Sequence, residues 1–145
     1  MQCRSIWFVA VAWLAACRAG PRPLVPGTDS CDFCRMTISD VRFGGEIVTR
    51  TGRIHTFDSI ECLASFYVQA DRREAVREVW VSDHSTGVLI PVERAEFLKG
   101  GTIKSPMGRA LLAVGRDSVE ALRQRFQAEP IPWADVLEMV SKGSG

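Results

Sequence analysis

The chain has 145 residues, of which 46% are hydrophobic and 24% are charged, and its 18 basic residues nearly balance 17 acidic ones. This length supports one domain with a hydrophobic core and is short for two ordinary domains. The apolar content excludes a disordered chain, and the near-zero net charge offers no electrostatic surface for nucleic acid, so we expect no nucleic-acid partner.

The first sixteen residues resemble a secretion signal. Arg4 precedes an uninterrupted apolar run over residues 6–16, and small residues end that run. The run is too short to cross a membrane as a helix, which takes roughly 20 residues. We therefore expect residues 1–16 to be a cleaved signal peptide and the mature protein to act outside the cytoplasm.

The end of this signal, Leu14-Ala15-Ala16-Cys17, resembles the lipobox of bacterial lipoproteins, in which the cysteine thiol carries a diacylglyceryl group. We expect Cys17 to be lipidated and to hold the protein on a membrane of the cell envelope, facing the periplasm or extracytoplasmic space. The alternative is an ordinary signal in which Cys17 is incidental. Residues 18–29 contain three prolines and two glycines, so residues 17–30 are predicted to form a flexible tether.

A β-hairpin, a helix and a third strand are predicted in the first half of the remaining chain. Residues 46–50 and 53–57 favour strands, and the Thr-Gly pair between them is typical of a hairpin turn. Apolar side chains recur at helical spacing over residues 60–67, after an Asp-x-x-Glu pattern that resembles a capping box. Residues 76–81 are rich in valine and predict the third strand.

A similar order of elements follows in the second half. Apolar runs at residues 87–92, 95–98 and 111–115 predict strands. The hexamer Asp58-Ser-Ile-Glu-Cys-Leu63 agrees at four of six positions with Asp117-Ser-Val-Glu-Ala-Leu122, which opens a second helix. We expect an α+β domain over residues 31–141, built from two pseudo-repeated ββαβ-like halves and closed by a short helix near residues 132–140.

Sulfur-bearing side chains are the strongest chemical signal. The segment Cys31-Asp-Phe-Cys34-Arg-Met36 places two thiols and a thioether within six residues, and Met107 stands in a Pro-Met-Gly loop. Cys62 occupies the position that Ala121 holds in the second half, so the scaffold does not require a thiol there. Soft sulfur donors select Cu(I), zinc or iron–sulfur clusters.

The number of donors favours copper among these metals. Structural zinc usually takes four Cys or His ligands, and iron–sulfur clusters take four thiolates. Once Cys3 is assigned to the signal and Cys17 to the lipid, three cysteines remain. Covalent haem is excluded, since the chain has no Cys-x-x-Cys-His. A Cu(I) site is satisfied by two or three sulfurs, and thioethers beside a Cys-x-x-Cys point to it.

Simpler interpretations of the same residues stay open. A Cys-x-x-Cys pair in an oxidising compartment is often a redox site or a plain disulfide. The chain would then be a periplasmic thiol–disulfide oxidoreductase using Cys31 and Cys34, or a structural lipoprotein stapled by that pair. A single methionine more often fills a core than binds a metal, and Cys62 could be a small buried apolar residue. We expect His55 and His84 to be surface or hydrogen-bonding residues.

Four segments in order closely resemble the NosL family of lipid-anchored copper chaperones. They are Cys31-Asp-Phe-Cys-Arg-Met-Thr-Ile-Ser-Asp40, Phe57-Asp-Ser-Ile-Glu-Cys62, Val81-Ser-Asp83 and Lys104-Ser-Pro-Met-Gly108. The resemblance covers about residues 31–140. It implies a two-fold repeated ββαβ fold and Cu(I) delivery to nitrous oxide reductase or a related copper enzyme, with an ABC-type membrane complex as docking partner. It implies no enzymatic activity.

The resemblance also assigns the ligands position by position. The Cys-Gly-Met of the family falls on Cys34, Arg35 and Met36, and its second-half methionine falls on Met107. These two methionines and Cys34 are therefore the first candidate ligands, and Cys31 and Cys62, which belong to a subset of relatives, come next. Arg35 stands where the family usually has glycine, so the family's loop conformation does not carry over directly to this position.

Overall fold

The computed structural model describes residues 20–70 and 75–143. Its strands and helices, in chain order, are β1 (Gly45–Thr49), β2 (Ile54–Phe57), α1 (Ile60–Gln69), β3 (Val76–Ser82), β4 (Leu89–Pro91), β5 (Ala95–Lys99), β6 (Leu111–Gly115), α2 (Val119–Phe126), β7 (Glu129–Pro130) and α3 (Trp133–Lys142). Among these residues no helix has the length and apolar character to span a membrane. The predicted signal peptide and Cys17 lie outside the described residues.

The first half forms an antiparallel sheet with the strand order β2-β1-β3-β4. β1 and β2 are the predicted hairpin, and Gly52 has a φ of 85° at its turn, a conformation that suits glycine. α1 and β3 also form where the periodicity predicts them. α1 begins differently, however: the side chain of Ser59, and not of Asp58, accepts the hydrogen bond from the backbone N–H of Cys62.

The second half forms a smaller antiparallel sheet with the order β6-β5-β7. The apolar run at residues 87–92 does not join it, because its ordered part, β4, pairs with β3 and extends the first sheet. The strand after α2 is β7, which has only two residues. The fold is thus the α+β class expected, and β1 and β5 each pair with a strand on both sides. The internal repeat itself stays a prediction.

β6 joins the two hydrophobic clusters of the domain. Leu111 and Ala113 on one face belong to the cluster under α1 and α3, whereas Leu112 and Val114 on the other face pack with α2. This division follows from the alternation of side chains along a strand. The first cluster also contains two of the predicted site residues, Cys31 and Cys62, so the candidate site lies at the edge of the main core.

The later part of the predicted tether packs on the domain. The backbone N–H of Arg22 donates to the buried carboxylate of Glu46 at 3.0 Å, and the guanidinium of Arg22 pairs with Asp29. Leu24 is 8% exposed and lies against Gly44, where a Cβ would clash with it. Residues 22–30 are therefore not a flexible tether in this structure, because burial of Leu24 and the Arg22 contacts hold them on β1.

Candidate metal centre

The first two cysteines lie on a short loop that closes on itself. An isolated β-bridge joins Ser30 to Thr37. Inside it, the backbone N–H of Cys31 donates to the carbonyl of Met36 at 2.8 Å, and the N–H of Arg35 donates back to the carbonyl of Cys31 at 2.9 Å. The N–H of Asp32 donates to the carbonyl of Thr56 on β2 at 2.8 Å, which holds the loop against the sheet.

The third cysteine approaches from the start of α1. Asp58 follows the last residue of β2, and Cys62 lies in the first turn of α1. One ligand atom from each of Cys31, Cys34, Asp58 and Cys62 lies within 4.8 Å of every other. Cys31, Cys62 and Asp58 are at most 3% exposed, whereas Cys34 is only partly buried. The fold thus assembles a donor cluster that is closed on the inside and open at Cys34.

The three cysteines of the cluster differ in pKa. Hydrogen bonds from the thiol of Cys62 and from the backbone N–H groups of Cys34, Asp58 and Phe33 lower the pKa of Cys31 to about 6, against the opposing effect of burial. The same hydrogen bond to Cys31, together with burial, raises the pKa of Cys62. Burial raises the pKa of Cys34. At neutral pH the cluster therefore contains one thiolate, Cys31, and two thiols.

The two methionines lie at the surface around this cluster. Met36 is 53% exposed, and its backbone N–H donates to the sulfur of Cys34. Met107 is 40% exposed and lines an open cavity of about 300 Å³ together with Phe33 and Cys62. The structure therefore brings Cys31, Cys34 and Cys62 together and leaves both thioethers outside the buried set. The ligand roles of all five residues stay predictions.

Sequence reasoning missed two carboxylates next to the cluster. Asp58 was assigned to a helix cap, but its side chain is a fourth possible donor. Glu61 is 3% exposed and accepts a hydrogen bond from Ser105, which fixes the loop of Met107 to α1. The signal that could have found Asp58 is its position four residues before Cys62, directly at the end of an expected strand.

Neither histidine belongs to the donor cluster. His55 is buried on β2, and its Nδ1 lies 2.7 Å from the carboxylate of Asp32, so it braces the Cys-x-x-Cys loop. This agrees with the expected hydrogen-bonding role. His84 is 6% exposed and lies between the rings of Phe43 and Phe126. It is therefore buried, and the expectation of a surface position is wrong for this residue.

Comparisons with known proteins agree with the resemblance. The chain matches the family described as NosL over residues 24–129. Among solved structures it is similar to the copper chaperone NosL from Shewanella denitrificans, with 23% identity and a TM-score of 0.62, over 79% of this chain and 96% of the other. No protein of curated function matches it significantly. Since the family match spans most of the sequence, the chain belongs to the NosL family.

Proposed function

We propose that this protein is a Cu(I) metallochaperone: it holds the ion at the cluster of Cys31, Cys34 and Cys62 and passes it to a copper enzyme. The family and the copper chaperone of the same fold support this proposal. The observation that carries it is the convergence of three thiols from two distant segments within 4.8 Å. Cu(I) is a soft ion that prefers sulfur donors, so these thiols match its chemistry. The protein acts as a carrier and not as an enzyme.

The asymmetry of the cluster suits a carrier. A buried thiol pair holds the ion on the inner side, while the partly buried Cys34 remains within reach of solvent. A partner's ligand can therefore attack from the side of Cys34 without unfolding the domain. Met36 is exposed two residues after Cys34, and Met107 is exposed in the cavity that Cys62 also lines, so both thioethers can supply weaker sulfur donors to an ion that enters or leaves.

The recipient and the location extend the same proposal. The NosL resemblance supports delivery to nitrous oxide reductase or a related copper enzyme, with an ABC-type membrane complex as docking partner. The lipobox-like Leu14-Ala-Ala-Cys17 supports an anchor in the cell envelope, facing the periplasm or extracytoplasmic space.

Replacing Cys17 with Ala should leave an unprocessed, unlipidated precursor, which mass spectrometry of the membrane fraction would detect.

The alternative, a thiol–disulfide oxidoreductase, fits the geometry less well. Such an enzyme attacks its substrate with an accessible thiolate of low pKa. Here the thiol with the lowered pKa is Cys31, which is fully buried, whereas the more accessible Cys34 has a raised pKa. The activated sulfur therefore cannot reach a disulfide of another protein.

Anaerobic titration of the reduced protein with Cu(I), against a competing chelator, tests the copper proposal. We expect one ion per chain and a large loss of affinity on Cys31→Ser or Cys34→Ser. Protein in which Cys31 and Cys34 are joined in a disulfide should take up no copper, because thiolates are the ligands. Equal uptake by the disulfide form, or by both serine variants, would contradict the thiol site.

The thioethers are tested by Met36→Leu and Met107→Leu, which keep the apolar volume. A lost ligand should cost about tenfold in affinity, or about 1.4 kcal/mol. Met139→Leu is the control, because Met139 packs against the main core. If all three variants bind Cu(I) as the parent does, the site consists of cysteines alone.

A further inference from the structure

Residues 22–30, which we call the strap, lie on the face of the first sheet that α1 and α3 leave uncovered. Ile47 of β1 belongs to the cluster under α1 and α3, and side chains alternate along a strand, so Glu46 points to the opposite face. On that face the backbone N–H of Arg22 donates to the carboxylate of Glu46. The hydroxyl of Thr56, which is the β2 neighbour of Glu46, donates to a carbonyl oxygen of the strap. The sheet therefore separates the strap from α1 and α3.

The outer surface of the strap is apolar and carries no net charge. Leu24 is buried against the domain, and three apolar residues around it are exposed: Pro23, Val25 and Pro26. The charged residues of the strap are Arg22 and Asp29, and their side chains form two hydrogen bonds with each other. Binding to a lipid surface scales with the apolar area that enters it. This surface is therefore suited to uncharged lipid headgroups.

The chain between the proposed lipid anchor and the strap is short. Cys17 stands three residues before Gly20, which is the first residue that the structure describes. An extended chain covers at most about 3.6 Å per residue, so Cys17 lies within about 11 Å of Gly20. Such a connection holds the strap beside the lipid at an effective concentration on the order of millimolar or higher. Even a weak contact with lipid is populated under these conditions.

We propose that the strap docks on the lipid surface, with Val25 in the headgroup boundary, so that the anchor fixes the orientation of the domain as well as its location. α1 and α3 then face the aqueous side. The cavity that Cys62 and Met107 line has part of its wall on α1, so it stays accessible to a partner while the domain is docked. This inference rests on the lipid anchor in the proposed function.

The test uses the lipidated chain in phosphatidylcholine nanodiscs that contain a lipid-attached gadolinium chelate. Residue-resolved NMR measures the paramagnetic broadening of each backbone amide. We expect the broadening at Val25 and Gly27 to be at least about threefold greater than on α3, because a docked surface segment enters only about 5–10 Å into the headgroup boundary. Val25→Asp places a charge there and should reduce the broadening of the strap to the level of α3. Val68→Asp is the matched control, since Val68 is an exposed valine on α1, and it should leave the strap as in the parent.

Three results would overturn the docking: equal broadening of the strap and α3, unchanged broadening of the strap in Val25→Asp, or an equal effect of Val68→Asp. Strap signals that shift with protein concentration, without broadening, would assign this face to a second copy of the chain and also overturn it. The parent alone decides between the two faces if Val25→Asp does not fold. A wild-type chain that carries no lipid on Cys17 and stays off the discs would instead overturn the anchor in the proposed function.

Discussion

Arg35 occupies a backbone conformation that favours glycine. Its φ is 67°, in the left-handed region, at the position where the NosL resemblance expects glycine. A residue with a Cβ pays about 1–2 kcal/mol there. Its contact with Asp32, at 3.6 Å on the surface, offsets little of that cost. The departure therefore preserves the loop geometry and lowers its stability.

Replacing Arg35 with Gly should stabilise the domain. We expect the free energy of unfolding to rise by up to about 1 kcal/mol, because the relief of the left-handed strain exceeds the entropy that glycine adds to the unfolded chain. Thermal unfolding followed by circular dichroism measures the change. Arg50→Gly is the control, since Arg50 has no positive φ, and its unfolding temperature should fall. A parallel fall for Arg35→Gly would refute the strain argument.

The uneven protonation of the thiols predicts a steep pH dependence of copper binding. Cys31 is ionised above a pH of about 6, while the raised pKa values of Cys34 and Cys62 keep both thiols protonated at neutral pH. Binding of Cu(I) by all three sulfurs then displaces two protons. The apparent affinity should rise about 100-fold per pH unit near neutrality.

Chelator competition at several pH values, corrected for the chelator, gives this slope. Cys62→Ser keeps a hydrogen-bond donor to Cys31 but removes one ligand proton, so its slope should fall to about tenfold per unit. A flat profile for the parent would mean that Cys34 and Cys62 are not ligands.

At the level of the elements, one buried hydrogen bond connects α1 to the loop of Met107. Ser105, which is 7% exposed, donates to Glu61, the residue before Cys62. The other oxygen of Glu61, Oε2, has no hydrogen-bond partner among the described residues. The bond from Ser105 is therefore the side-chain hydrogen bond that the structure gives this buried carboxylate. It places the 104–108 loop beside the cavity that Cys62 and Met107 share.

Ser105→Ala should release that loop and weaken copper binding. We expect the loss of Cu(I) affinity to equal that of Met107→Leu and the double variant to lose no more, because both changes remove the same contact. Leaving Glu61 unpaired should also cost about 1–3 kcal/mol in stability. Ser85→Ala is the control, since it removes an exposed Ser–Asp83 hydrogen bond away from the cluster. Additive losses in the double variant would show that the bond does not position Met107.

The elements also show how far the sequence could predict the structure. The hairpin, α1 and β6 have strong local patterns, and they form as expected. β4 changes sheets because strand pairing is a long-range property that a local apolar run does not encode. β7 is a Glu-Pro pair with no strand pattern. Asp58 was missed for a related reason: its role depends on the Cys-x-x-Cys loop packing beside α1, which spacing along the chain does not reveal.

At the scale of the whole molecule, His84 connects the two halves. It follows β3, its backbone N–H donates to the carbonyl of Ala113 on β6 at 2.9 Å, and its ring contacts Phe126 of α2. Burial lowers the pKa of His84, and the nearby guanidinium of Arg42 adds to this effect. Protonation of His84 therefore destabilises the junction between the halves.

Acidification should consequently destabilise the domain through His84. Because its folded pKa lies below that of the unfolded chain, the unfolded state binds an extra proton as the pH falls below about 6.5. The stability that the neutral ring contributes is full above that pH and is lost as the pH falls towards the folded pKa. The surface carboxylates Asp29 and Asp40, whose pKa values are lowered, titrate in a more acidic range and do not overlap this window.

Chemical denaturation of the parent and of His84→Phe at pH 7.5 and about pH 5 measures the effect. Phenylalanine keeps a ring between Phe43 and Phe126 but cannot take up a proton, so the variant should lose less stability between the two pH values than the parent. Taking the difference between the two proteins cancels the contribution of the cysteine cluster, which is the same in both. His55→Phe is not a suitable second variant for this comparison, because His55 braces the Cys-x-x-Cys loop through Asp32 and its loss would disturb that loop. If parent and variant lose stability in parallel, the acid sensitivity of the domain originates elsewhere and His84 contributes only packing.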